Sequence, residues 1–154
     1  MENKKTLYQI TEDFLKNYSI DNPPLISLYR NYHIQDDYDN FRSSDNFFIF
    51  IDNIKELLEE QVSVLQLNDF PYYTTNNIKH YILWINNKKN PDKLFIKNEI
   101  NKYFDISIDT KNTQNIKKRE NIITYWVNTP LNSSIKDILH THIFTKIIES
   151  LLTD

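Results

Sequence analysis

Apolar residues recur at helical spacing through the first sixty positions of the chain and at period two through much of the remainder. From Thr6 to Tyr18, residues Leu7, Ile10, Phe14, Leu15 and Tyr18 share one side while Glu12, Asp13 and Lys16 take the other, which predicts a first helix. Asp21-Asn22-Pro23-Pro24 ends it, because proline cannot continue a helix and pushes the residue before it to extended geometry. A short second helix is predicted over Leu25 to His33, opened by proline. Gln35 to Arg42, acidic and aromatic, reads as irregular. Ser43-Ser44-Asp45 then offers capping oxygens to a third helix carrying Phe47, Phe50, Ile51, Ile54, Leu57 and Leu58.

The period changes at Val62. Val62 to Leu67 and His80 to Ile85 read as strands, the second nearly apolar throughout and hence central in a sheet. Asn90-Pro91 opens a helix with Ile96, Ile100, Tyr103 and Phe104 on its buried stripe, and a strand from Asp105 to Ile108 is expected after it. Lys117-Lys118-Arg119 sits in a polar frame that reads as a solvated hairpin loop. Ile122 to Asn128 and a run centred on His140 to Phe144 supply two further strands, and Ile147, Ile148, Leu151 and Leu152 predict a terminal helix. The fold class that follows is α+β in a single domain over 1–154, with a helical part over 1–61 and an antiparallel sheet with a packing helix over 62–154.

Composition removes several branches of chemistry. The 154 residues include no cysteine, so disulfides, thiolate nucleophiles and cysteine-based zinc sites are excluded. Glycine is also absent, and a Walker loop or dinucleotide fingerprint needs glycine for the backbone to approach phosphate closely. Any nucleotide must therefore be held by side chains and ordinary backbone. A formal net charge of −3 argues against a general nucleic-acid binder. No apolar run reaches the roughly 20 residues of a membrane span, so the expectation is a soluble intracellular protein without a membrane partner.

The richest chemistry lies in the run Ile138-Leu139-His140-Thr141-His142-Ile143-Phe144. If it is a strand, period two places His140 and His142 on one face, with Leu139, Thr141 and Ile143 on the other. The competing account of a bare His-x-His is one buried structural imidazole and one solvent-facing one.

The ordered blocks Asn68 to Tyr72, His80 to Trp84, Tyr125 to Asn128, Ser134-Ile135 and His140 to Ile143 resemble an uncharacterised domain family. That family is found in fungi, where one member is the N-acetylglucosamine-induced protein, and in large DNA viruses of amoebae. More remotely, the same blocks are similar to the histidine triad (HIT-like) superfamily of nucleotidyl hydrolases and transferases. The resemblance implies attack of an imidazole on an α-phosphorus through a phosphoramidate. It implies His142 as nucleophile, its tautomer set by a backbone carbonyl, His140 and His80 orienting phosphate oxygens, and Asn128 and Ser134 donating hydrogen bonds to them. Phe144 occupies the place of the third histidine and cannot hydrogen-bond a phosphate oxygen. Turnover and ligand binding alone both stay open on that account.

Two non-catalytic readings compete. Trp84 and Trp126, the only tryptophans, could stack a base whose edge Asp69 reads, making a nucleotide or RNA-cap binding module; the bland account is two core aromatics. Alternatively, the chain is a protein-interaction domain with structural histidines, presenting the tyrosine-rich acidic segment Tyr29 to Phe41, and His33 is expected to be structural. A three-histidine zinc site from His80, His140 and His142 is conceivable, but no carboxylate stands at tight spacing to the pair, so neither a metal nor a cofactor is expected. The expected partner is a nucleotide or nucleotide sugar, with an RNA cap as the variant, and a homodimer would form through a sheet edge or a helix.

Overall fold

The computed structural model describes residues 8–86, 91–104, 118–129, 133, 135 and 138–149. Along the chain these form α1 (Glu12–Leu15), α2 (Tyr32–Arg42), α3 (Asp45–Glu60), β1 (Ser63–Leu67), β2 (Ile78–Ile85), α4 (Lys93–Phe104), β3 (Lys118–Trp126) and β4 (His140–Glu149). The strands make one antiparallel sheet in the order β1-β2-β4-β3. This is the α+β arrangement expected from the pattern: helices first, then an antiparallel sheet with a packing helix.

Register decides which residues share a face. His142 stands opposite Ile82 on one side and Trp126 on the other, His140 opposite Trp84, and Phe144 opposite His80. Alternation then puts Ile78, His80, Ile82, Trp84, His140, His142, Phe144 and Trp126 on one face. Two clusters cover it. Phe47, Ile51, Ile54 and Leu58 of α3 pack over Ile82 and Trp84, while Ile10, Leu15 and Tyr72 pack over Ile78, Trp126 and Phe144. The opposite face presents Leu83, Ile85 and Ile143 to Ile96 and Ile100 of α4. Both faces are thus buried, which is why β2 reads as an almost unbroken apolar run.

The helical third departs from its pattern where tertiary pairing overrides local propensity. The predicted helix over 6–18 is reduced to α1, capped by the Thr11 side chain on Phe14 N–H. Upstream of it, Ile10 N–H donates to Tyr73 O and Ile10 O accepts from Thr75 N–H, so this segment joins the 73–75 loop as an extended bridge. The predicted helix at Leu25 to His33 is displaced to Tyr32–Arg42, the stretch expected to be irregular. Asn31 caps α2 by accepting from Ile34 N–H, and Ile34, Tyr38, Phe41 and Arg42 follow the inward stripe that its many acidic residues obscure. The chain before it is extended, with Tyr29 O accepting from Tyr73 N–H. The third helix agrees with its pattern, although the Ser44 hydroxyl donates to Phe41 O and leaves the N-terminal amides to other partners.

At the other end, Ile147 and Ile148 lie in β4 and not in a helix; Ile147 N–H donates to Asn77 O and the strand runs on to Glu149 beside β3. Lys118 and Arg119, expected in a hairpin loop, belong to β3. Lys117, the expected strand at 105–108, Leu151 and Leu152 lie outside the described residues. Among the described residues no helix is long and apolar enough to cross a membrane.

Candidate functional site

Three of the four histidines meet on the face that α2 and the 68–72 loop overhang. His80 and His142 are hydrogen-bonded ring to ring, Nε2 of His80 lying 2.8 Å from Nδ1 of His142. The far side of His80 receives Tyr72 N–H on Nδ1 at 3.2 Å, with Asn68 Nδ2 at 3.4 Å from the same nitrogen. On the far side of His142, Nε2 is 3.0 Å from Asn128 Nδ2, which also donates to the Tyr72 hydroxyl, while Asn128 Oδ1 accepts the indole N–H of Trp126 at 2.9 Å. The result is a continuous polar chain through an apolar layer, Tyr72–His80–His142–Asn128–Trp126. Such a buried chain persists because each member is hydrogen-bonded.

His140 is held differently. Its Nδ1 is 3.0 Å from the carbonyl oxygen of Ile138, which can only accept, so Nδ1 carries the proton and Nε2 keeps its lone pair. The carbonyl-fixed tautomer that a histidine nucleophile needs therefore occurs on His140, whereas His142 has an imidazole at the corresponding nitrogen.

Burial decides the charge of these rings. His80, His140 and His142 are all buried, and desolvation pushes each below the ordinary imidazole range, His80 and His142 far below it. The neighbouring imidazoles and the Arg30 guanidinium push His80 and His142 in the same direction. All three are neutral in the folded protein at physiological pH. Since the unfolded chain binds these protons more readily, the stability contributed by the neutral rings is present above pH 6.5 and is lost as pH falls below it. Each ring is expected to contribute a slope of up to about 1.4 kcal/mol per pH unit. Urea unfolding between pH 7.5 and pH 5 measures it; a flat profile would mean that the rings are charged in the native state.

Two cavities adjoin the histidine face. The larger, of about 500 Å³, lies between α2 and the 26–30 segment and is walled by Arg30, Gln35, Tyr38, Asp39, Arg42, Tyr72 and Asn128, among others. The smaller, of about 60 Å³, is lined by Gln66, Asp69, Trp84, His140 and His142 among others, and Arg30 and Tyr38 form wall common to both. Arg30 Nε donates to Phe70 O at 2.7 Å, and its guanidinium sits 4.0 Å from the centre of the Tyr38 ring. This pins the loop that carries Asp69 and Tyr72. Arg42 makes a 3.3 Å hydrogen bond to the Tyr38 hydroxyl and lies over Phe47, while its buried Nε has no hydrogen-bond partner. Among the described residues neither guanidinium is paired with a carboxylate. Two half-buried cations on one cavity wall, without counter-ions among the described residues, have N–H groups that could be offered to an anion.

The expected site residues thus separate. His80, His140, His142 and Asn128 come together, and Trp84 and Asp69 join His140 at the smaller cavity, Asp69 exposed at its rim. Trp126 lines neither cavity. Its indole is fully buried between Tyr18 and Phe144 and its N–H is spent on Asn128, so a base finds no open face there. Trp84 is 3% exposed, bonded to Gln66 Oε1 and packed against Phe50 and His140. Ser134 lies outside the described residues. His33, expected to be structural, is exposed on α2. Arg30, Arg42 and Tyr72 were not among the expected site residues. The available signal was that Arg30 and Arg42 are two of only three arginines in a chain whose other basic residues are lysine. As for zinc, the facing nitrogens of His80 and His142 are engaged with each other, and no group of three ligating side chains is arranged for a metal among the described residues.

A family model described as a protein of unknown function, DUF3605, matches residues 30–146. The chain belongs to this family. The matched DUF3605 span opens at Arg30 and closes two residues past Phe144, so it takes in Arg42, Tyr72, the three buried histidines and Asn128, but not α1, whose Leu15 packs with Tyr72. A search of curated proteins returns no match. Among solved structures, the DUF3605 chain is similar to one titled "Crystal Structure of HTC1", at a TM-score of 0.47 and 18% identity over 77% of this chain and 76% of that one.

Proposed function

We propose that this DUF3605 protein binds a nucleotide or nucleotide sugar, its phosphates in the cavity walled by Arg30 and Arg42 and its reactive end towards Asn128 and the His142 edge. The observation that carries the reading is the pair of guanidiniums, without carboxylate partners among the described residues, on a cavity whose floor, Tyr72 and Asn128, is hydrogen-bonded to the histidine chain. At about 500 Å³ the cavity falls in the range of small-molecule sites, roughly 300–1,000 Å³, whereas 60 Å³ is too small for a base. The sequence likeness to histidine triad proteins supports the same ligand class. Phosphorus NMR with UDP-N-acetylglucosamine, a dinucleoside polyphosphate and a cap dinucleotide tests it. Line broadening that disappears in an Arg30→Gln, Arg42→Gln protein is the expected result; sharp, unshifted lines with wild type at millimolar ligand would remove the reading.

Turnover at the α-phosphate is a second reading, supported by the His140 tautomer, because an unprotonated Nε2 is what attacks phosphorus. On this reading His140→Gln abolishes release of nucleoside monophosphate from the same ligands while His142→Gln only weakens binding. The reverse ranking would return the nucleophile's role to His142.

A further inference from the structure

The loop from Asn68 to Thr75 is fastened to β2 at both ends, by Asn68 N–H on His80 O and by Ile78 N–H on Thr75 O. Between these anchors Tyr72 N–H donates to His80 Nδ1, and the Tyr72 ring lies over His80 and His142. The loop in turn holds other parts of the chain. Tyr73 and Thr75 share two backbone bonds with Ile10, Tyr73 N–H donates to Tyr29 O, and Phe70 O accepts from Arg30 Nε. Proton positions on the two rings are limited. The four nitrogens of His80 and His142 offer three places: one between the rings, where 2.8 Å leaves room for a single proton, one towards Asn128 and one towards the Tyr72 amide. Two neutral rings carry two protons, so His80 Nδ1 keeps its lone pair for Tyr72 N–H. A third proton has to go to that nitrogen.

We propose that the His80–His142 pair is a proton-operated latch: a third proton expels the Tyr72 amide and opens the 68–75 loop, with the segments it holds, while the sheet and α4 stay folded. Asn68 gives the extra proton no acceptor, since its Oδ1 holds Phe70 N–H at 2.8 Å and its Nδ2 faces the same ring nitrogen at 3.4 Å. The cations nearby oppose the proton too: Arg30 and His140 act on both rings. Asp69 stands exposed at the rim of the smaller cavity, Asp39 and Arg42 of α2 line the larger one with Tyr72, and Glu12 of α1 is bonded to Lys16 and Lys146. Burial keeps the Tyr72 phenol protonated. Desolvation, the largest cause, holds both rings well below the ordinary imidazole range in the closed protein, and opening the loop admits water to them. Opening therefore takes up protons, so the closed form is favoured above pH 6.5 and lost as pH falls below it. The opposite face of the sheet, where Leu83, Ile85 and Ile143 meet Ile96 and Ile100, holds none of the three rings and keeps its packing. Acid thus takes Tyr72 and the anchor of Arg30 away from the larger cavity, whatever that cavity holds.

The test is amide hydrogen exchange of the full chain without ligand, followed residue by residue by NMR between pH 7.5 and pH 5 and corrected for the intrinsic pH dependence of exchange. The open-to-closed ratio rises up to about 10-fold per pH unit for each ring that takes up a proton. The amides of Tyr72, Tyr73, Thr75 and Ile10 are expected to lose at least about 10-fold in protection by pH 5, while those of Leu83, Ile143 and Ile100 keep theirs. Two variants separate the latch from general acid sensitivity. Asn68→Asp keeps an acceptor for Phe70 N–H and turns a second oxygen towards His80 Nδ1, giving the third proton a partner. His80→Gln offers an oxygen to Tyr72 N–H and an N–H to His142 Nδ1 without titrating. Each is expected to keep the loop at least about 10-fold better protected than wild type at pH 5. Wild-type loop protection that does not change with pH would overturn the proposal, as would loss of protection in the loop and in Leu83, Ile143 and Ile100 together. So would folded variants whose loops open as the wild-type loop does. The wild-type profile is decisive by itself where a variant does not fold.

Discussion

Replacing Phe144 by histidine, which would write out a complete His-x-His-x-His, is expected to lower stability by about 2–4 kcal/mol and to produce no turnover. The side chain at this position is fully buried, stacked on His80 with ring centres 4.4 Å apart and packed against Trp126 and Tyr72. An imidazole there exchanges apolar ring contacts for an N–H in an apolar pocket, and a buried donor without a partner costs about 1–3 kcal/mol on its own. Although Phe144 shares a face with His140 and His142, it lies further along β4, opposite His80, and lines neither cavity. Urea unfolding and phosphorus NMR of Phe144→His together measure the effect. A protein of wild-type stability, or one that gains cleavage of a nucleotide, would show that position 144 reaches the ligand after all.

The second large effect is expected at Arg42. Arg42→Gln should weaken nucleotide binding by roughly 10- to 100-fold, about 1.5–3 kcal/mol, while leaving the unfolding midpoint nearly unchanged. The asymmetry follows from how the guanidinium is held. Its hydrogen bond to the Tyr38 hydroxyl is long at 3.3 Å, and its Nε is buried with no partner. The fold therefore gains little polar interaction from this head group, whereas a phosphate in the adjoining cavity would gain a charge-assisted hydrogen bond. Arg30 makes the contrast: its Nε donates to Phe70 O and its cation covers Tyr38, so Arg30→Gln should weaken both binding and stability by loosening the loop that carries Asp69 and Tyr72. Calorimetric titration of UDP and thermal melting on the two single variants separate these cases. An Arg42→Gln protein that melts far below wild type but binds normally would make Arg42 a structural residue.

Legibility in the sequence followed how local each determinant was. Strand β4 could be read because His140, Thr141, His142 and Ile143 alternate chemically, and the register puts both imidazoles on one face as period two requires. Helix α3 could be read because Phe47, Ile51, Ile54 and Leu58 repeat at helical spacing over about three turns. Helix α2 could not, since aspartates and asparagine around Tyr38 lower its propensity and its stripe faces a cavity instead of a continuous core. The N-terminal segment failed for the opposite reason. Its helical spacing is good, but Ile10 gains two backbone bonds from the 73–75 loop, sixty positions away in the chain, which no local window contains.

By itself the sequence determined the class of the fold, the exclusion of thiol and glycine-loop chemistry, and the shared face of His140 and His142, because composition and periodicity are properties of the chain alone. Only the tertiary structure decided what those histidines can do. A tautomer is set by whichever group faces the other ring nitrogen, and those groups, the Tyr72 amide, the Ile138 carbonyl and Asn128, are brought in by separate segments. The same holds for Arg30 and Arg42. They look like ordinary surface cations in the sequence, and become a candidate anion site only because folding brings them together beside Tyr38 and leaves them without carboxylate partners among the described residues.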